Sequence, residues 1–157
     1  MIEIIGILVA AIIAIGVTVY QVKASKQNIV SKSKAKSHEN LWNSLIEMRT
    51  YFDLGMQTEL NNTGTLKLEP IHNFRLIVNQ SKPNIASSLY KDLNEFYENI
   101  ASLTVTNLFE PMKHYLNQKS GLSAEELKKI ENEVNKNRLK ILGMIERYIE
   151  ENKKQLR

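Results

Sequence analysis

The sequence predicts an all-α protein: a single amino-terminal transmembrane helix followed by a cytosolic bundle of four or five helices. Three observations predict it. The 19 residues from Ile4 to Val22 carry no charged side chain, and at about 1.5 Å per residue such a helix nearly matches a hydrocarbon core about 30 Å thick. From Glu39 onward, apolar residues return every three or four positions, the period of a helix with one buried face. No stretch of the sequence sustains the two-residue alternation of a half-buried strand, and the one β-leaning run, Leu103 to Phe109 (LTVTNLF), is short.

The first element is the apolar run. Glu3 is the only charge before it, whereas Lys23, Lys26, Lys32, Lys34 and Lys36 follow it with no acidic residue before Glu39. A cleaved signal peptide carries its basic residues ahead of a shorter apolar region. The arrangement here therefore predicts an uncleaved single-pass anchor in the plasma (inner) membrane, and the positive-inside rule places the amino terminus outside and the rest in the cytoplasm. The expected division is a transmembrane anchor over 1–22, a basic juxtamembrane segment over 23–36 and a helical bundle domain over 37–157. Gly6, Ala10, Ala14 and Thr18 recur every four residues and share one helix face. Small side chains so placed let two helices pack closely in lipid; self-association through this face and a passive anchor both stay open. The five lysines either contact anionic lipid or only fix topology.

The bundle opens with Leu41, Leu45, Met48 and Phe52, a stripe widened by Trp42 and Ile46. No proline or glycine falls between Val17 and Leu54, so this helix is expected to run to about Leu60, where Asn-Asn-Thr-Gly stops it. A short helix follows from Pro70, turning Ile71, Phe74 and Ile77 or Val78 inward, and Asn79 to Asn84 (NQSKPN) ends it. Ile85, Leu89, Leu93, Phe96, Ile100 and Leu103 then keep helical rhythm for about five turns. Another short segment, Leu108 to Leu116, ends at Asn-Gln-Lys-Ser-Gly.

The last helix has the strongest start signal. Ser123 and Glu126 form a capping box in which each side chain satisfies the other's backbone N–H, with Leu122 stapling onto Leu127. Leu127, Ile130, Val134, Asn137, Ile141, Met144 and Tyr148 take coiled-coil-like core positions, and Leu142, Ile145 and Ile149 widen the stripe. A stripe this wide suits a bundle better than a two-stranded seam. Asn137 is the polar exception, either a residue that sets register or partner choice or one on the rim.

Charge and composition narrow the function. The formal net charge of +4 is held by residues 1–36, with five lysines and one glutamate; the remaining 16 basic and 16 acidic residues balance. A neutral domain without a basic run is a poor binder of phosphate backbones, so no nucleic-acid partner is expected. The chain has no cysteine, which removes disulfides and thiolate metal sites and fits a reducing compartment. Its richness in Lys, Asn and Ile fits an AT-rich bacterial or phage genome.

Glu69 and His72 share the Glu-x-x-His spacing of carboxylate-bridged di-iron bundles, but the required second copy fails: Glu110 and His114 are four apart, with Lys113 in the histidine's place. A proline and a glutamate in a first helical turn explain the same letters, so no metal and no cofactor is expected. Glycine-rich phosphate cradles are missing, the three histidines are scattered, and no catalytic residue is assigned.

The chain length and single apolar helix resemble the b subunit of rotary ATP synthases, which joins a membrane helix to a long polar stalk; the proline and glycine breaks after Leu60 depart from that pattern. The leading expectation is a non-enzymatic, membrane-anchored binding module that recruits, scaffolds or regulates an unidentified protein partner, with a homo-oligomer as one form and the lipid bilayer as a further contact. The alternatives are an oligomerising membrane effector of toxin, phage or defence type, and a structural stalk.

Overall fold

The computed structural model describes the backbone of residues 2–56, 67–113 and 121–156, and the side chains of the same ranges from residue 15 onward. Among the described residues there are four α-helices and no strand: α1 (Ile2–Thr50), α2 (Glu69–Ser81), α3 (Ser87–Thr104) and α4 (Ala124–Leu156). Two π-helical segments follow α1 and α3, π1 (Tyr51–Gly55) and π2 (Val105–Phe109), and a 3-10 turn, Lys82–Asn84, follows α2. The elements among the described residues are all helical, as the periodicity predicts.

The chain divides into two compact units, Met1–Lys36 and Ser37–Arg157. In the first unit the described side chains, Ile15 to Lys36, are exposed except for half-buried Ala24. The membrane anchor expected over 1–22, and the plasma-membrane localisation drawn from it, are corrected here. Among the described residues no helix is long and apolar enough to cross a membrane. The side chains of Gly6, Ala10 and Ala14 lie outside the described residues; Thr18 is exposed.

The second unit is built on the predicted stripes. Leu41, Leu45, Met48 and Phe52 are fully buried, and each such side chain contributes about 1.5–3 kcal/mol relative to exposure. α2 begins beside Leu68, whose carbonyl accepts the N–H groups of Ile71 and His72 at 3.1 and 3.0 Å. Pro70 fits the first turn because the missing N–H has no intrahelical partner there. Ile71, Phe74 and Val78 point inward while Ile77 is partly buried. Lys82-Pro83-Asn84 closes the helix, and Ile85 is extended, at φ −119° and ψ 162°, before α3 starts. α3 buries Leu89, Leu93, Phe96, Tyr97, Ile100 and Thr104.

Aromatic rings join three helices. Phe74 of α2 meets Phe96 of α3 edge-on at 6.0 Å, and Phe96 stacks on Tyr148 of α4 at 3.9 Å with planes 19° apart. Such pairs add about 0.5–1.5 kcal/mol beyond their buried area. The predicted stop of the first helix, Leu60 with Asn61–Gly64, lies outside the described residues, as does the end of the Leu108–Leu116 segment.

The β-leaning Leu103–Phe109 run is helical instead, and five of its residues form π2. Both π segments follow a threonine that bonds backward: Thr50 Oγ1 donates to the Ile46 carbonyl at 2.8 Å and Thr104 Oγ1 to the Ile100 carbonyl at 2.7 Å. A hydroxyl on the i−4 carbonyl competes with the ordinary backbone bond and bends a helix. The next bonds then reach five residues back, from Met56 N–H to Tyr51 and from Glu110 N–H to Val105.

Candidate functional site: a groove between the first and last helices

The position of α4 is set by adjacent polar residues. Arg138, only 9% exposed, donates through one terminal nitrogen to the carbonyls of Phe52 and Asp53 in π1, at 2.6 and 2.8 Å. Its Nε and other terminal nitrogen both donate to Asn135 Oδ1, at 3.1 and 3.0 Å. Asn137 Nδ2 donates to the Asn107 carbonyl of π2 at 3.2 Å. Asp53 and Asn107 occupy the same place in their segments, three residues after Thr50 and Thr104 and just before a leucine. Neighbouring donors on one helix thus hold equivalent carbonyls of two π segments.

Sequence reasoning gave Asn137 a place in the core-like series of α4, either as a residue that sets register or partner choice or as one on the rim. The buried series on α4 is instead Val134, Arg138, Ile141, Ile145 and Tyr148, with Asn137 half-buried beside it. Asn137 acts within the chain, on π2, in this structure. Arg138 was missed because charged residues read as surface; the repeated Thr-x-x-Asp/Asn-Leu of the π segments is the signal that could have pointed to it.

The Arg138 clasp fixes π1 against α4, and with the Arg49–Glu146 pair it sets α1 and α4 in antiparallel order. Arg49 pairs with Glu146 at 2.9 Å, while Arg138, earlier on α4, reaches Phe52 and Asp53, later in the chain. Between the two helices runs an open groove of about 350 Å³ lined by Trp42, Ile46, Arg49, Glu146, Ile149, Glu150 and Lys153. Arg49 lies seven residues beyond Trp42, and Lys153 seven beyond Glu146. Antiparallel pairing therefore sets three rungs: Trp42 across from Lys153, Ile46 from Ile149, and Arg49 from Glu146. Trp42 and Ile46 are half-buried against the core and Ile149 is buried, so the middle of the groove is apolar and its ends are charged or aromatic.

Comparison with family models, curated proteins and solved structures returns no match. What the groove can do is therefore read from its own chemistry. It has an indole, a half-buried isoleucine and an arginine along it, and tryptophan and arginine are among the residue types that anchor protein interfaces.

The remaining sequence-predicted residues fall elsewhere. Lys23, Lys26, Lys32, Lys34 and Lys36 are all exposed in the first unit. Ser123 and Glu126 make the reciprocal cap: Ser123 N–H and Oγ donate to Glu126 Oε2 at 2.8 and 2.7 Å, and Glu126 N–H donates to Ser123 Oγ at 3.3 Å. Those bonds from Ser123 hold the Glu126 carboxyl below its ordinary range. Glu69 and His72 sit in the first turn of α2, and His114 lies outside the described residues. Among the described residues, no three metal-ligating side chains gather. Within the aromatic seam, Tyr148 donates to Asp92 Oδ2 at 3.0 Å, and burial, with that carboxylate, pushes its phenol well above the usual tyrosine range.

Proposed function

We propose that the chain is a binding module, a helical bundle that recruits, scaffolds or regulates a protein partner through the α1–α4 groove and acts without catalysis. The observation that carries this reading is the apolar middle rung of Ile46 and Ile149, bordered by Trp42 and by the exposed Arg49–Glu146 pair. An apolar centre within a polar rim is the anatomy of a protein interface. The rim pairs contribute little to stability, since exposed ion pairs are worth about 0–1 kcal/mol, which leaves them free to rearrange with a partner.

The test is photo-cross-linking in the native cells with a photoreactive residue at position 46, and at exposed position 91 on α3 as the control. The reading predicts a discrete adduct from position 46 and none from position 91. Silence at position 46, or equal labelling from both sites, would count against it.

A further inference from the structure

Ile15, Val19, Val22 and Ile29, on the helix of the first unit, are between 49% and 67% exposed. Their spacings of four, three and seven residues set them on one face, and Lys26, four beyond Val22 and three before Ile29, falls in the same stripe. At about 100° per residue, Lys23, Val30 and Lys34 lie along one flank of that stripe and Lys32 and Lys36 along the other. Gln21, Asn28 and Ser31 face away from it, as do Val17 and Tyr20. All five lysines are exposed, and no acidic residue lies between Ile15 and Glu39.

From this arrangement we infer that residues 15–36 are a docking surface for an anionic lipid bilayer, lying along the headgroups with the apolar stripe turned toward the lipid. The inference is independent of the groove in the second unit. The contact runs along the surface and not through it, because among the described residues no helix is long and apolar enough to cross a membrane.

A lipid surface uses both kinds of side chain present. Valine and isoleucine enter the boundary between headgroups and acyl chains, while lysines on the two flanks extend their ammonium groups to headgroup phosphates. A nucleic-acid backbone would use the lysines and leave the stripe in water. A second helix laid on the stripe would enclose Lys26 in an apolar seam, at a cost in stability; among headgroups the same ammonium has anionic partners. The formal charge of +4 resides in residues 1–36, so attraction to an anionic surface is directed to this unit, while residues 37–157, with 16 basic and 16 acidic side chains, add none.

The test is flotation of the full chain with vesicles of phosphatidylcholine alone and of phosphatidylcholine mixed with phosphatidylserine in equal parts. Binding is expected to the mixed vesicles and to fall as salt is raised from about 0.1 to about 1 M, which shortens the screening length from about 10 to about 3 Å. A lysine near an anionic surface strengthens binding about fivefold, so a variant carrying Lys23→Gln, Lys26→Gln and Lys36→Gln should bind at least about tenfold more weakly. Val22→Gln with Ile29→Gln should also lose about tenfold. Removing the same charge from exposed positions of the second unit, with Lys91→Gln, Lys128→Gln and Lys140→Gln, should leave binding within about twofold of wild type. All the replaced side chains are exposed, so the bundle is expected to stay folded in each variant.

Absence of binding to the mixed vesicles would overturn the inference, as would equal binding to both kinds of vesicle. Loss on removing the lysines with none on removing Val22 and Ile29 would reduce the segment to a general polyanion contact, of the kind a nucleic acid makes, and would also overturn it. So would a control variant that binds as weakly as the lysine variant of the first unit.

Discussion

Replacing Arg138 with alanine should destabilise the second unit by about 3 kcal/mol. The side chain makes four N–H···O contacts of 2.6–3.1 Å to three neutral oxygens, the Phe52 and Asp53 carbonyls and Asn135 Oδ1. A carbonyl that loses its donor inside a protein costs about 1–3 kcal/mol, and two carbonyls of π1 lose theirs. Removing a buried guanidinium also relieves a desolvation cost, which is why the net loss stays below the sum of the bonds.

Trp42 is the only tryptophan and belongs to the second unit, so its emission during urea unfolding reports on the bundle alone. With a slope of about 2 kcal/mol per molar urea, the midpoint should fall by about 1.5 M. Arg138→Lys keeps the charge but offers a compact ammonium instead of a planar fork, and should lose about half as much. Hydrogen exchange should quicken first in Tyr51–Gly55. A midpoint shift under about 0.3 M for Arg138→Ala would refute the reasoning, because the bonds to the Phe52 and Asp53 carbonyls cannot then be holding π1.

The second clasp is lighter: Asn137→Ala removes one neutral bond to the Asn107 carbonyl and should cost about 1 kcal/mol, with faster exchange confined to Val105–Phe109. At the start of α4, the Ser123 bonds hold the Glu126 carboxyl low, so the cap's contribution is full above the ordinary carboxylate range and is lost as pH falls through the lowered value. Ser123→Ala should raise the Glu126 titration toward that range in an NMR titration and flatten the acid side of the stability profile. Tyr148 behaves oppositely, since its phenol is held protonated by burial and Asp92. Stability should be fully present below the ordinary tyrosine range and decline as pH rises above it, and Tyr148→Phe should remove that alkaline loss in a series of urea midpoints.

The helices were legible because each carries a stripe whose members pack against one core. Leu41, Leu45, Met48 and Phe52 on α1, Leu89, Leu93, Phe96 and Ile100 on α3, and Ile141, Ile145 and Tyr148 on α4 are all buried where periodicity placed them. The π segments were not legible, because inserting one residue changes a backbone bond without changing composition, and Leu103–Phe109 even favours β structure by propensity. Arg138 escaped notice for a related reason: its burial depends on carbonyls in π1, some 86 residues away in sequence. The groove was half visible, with Trp42, Ile46 and Ile149 marked as widening their stripes. A stripe wider than the core leaves apolar residues at the edge, and only the antiparallel pairing of α1 with α4 showed that these edges meet. The membrane span came from counting uncharged residues, whereas no helix among the described residues is long and apolar enough to cross a membrane.

Covalent labelling of Trp42 tests the central claim most directly, because this one indole stands at the end of the groove. Hydroxyl-radical modification would be compared between the protein inside its native cells and the purified chain at about 1 μM, where a weak partner has dissociated. The account predicts strong protection of Trp42 in the cells and ready modification in the dilute chain, with exposed Tyr20 in the first unit modified in both. Equal modification of Trp42 in the two settings would mean that the groove stays open while the protein works, and would contradict the account.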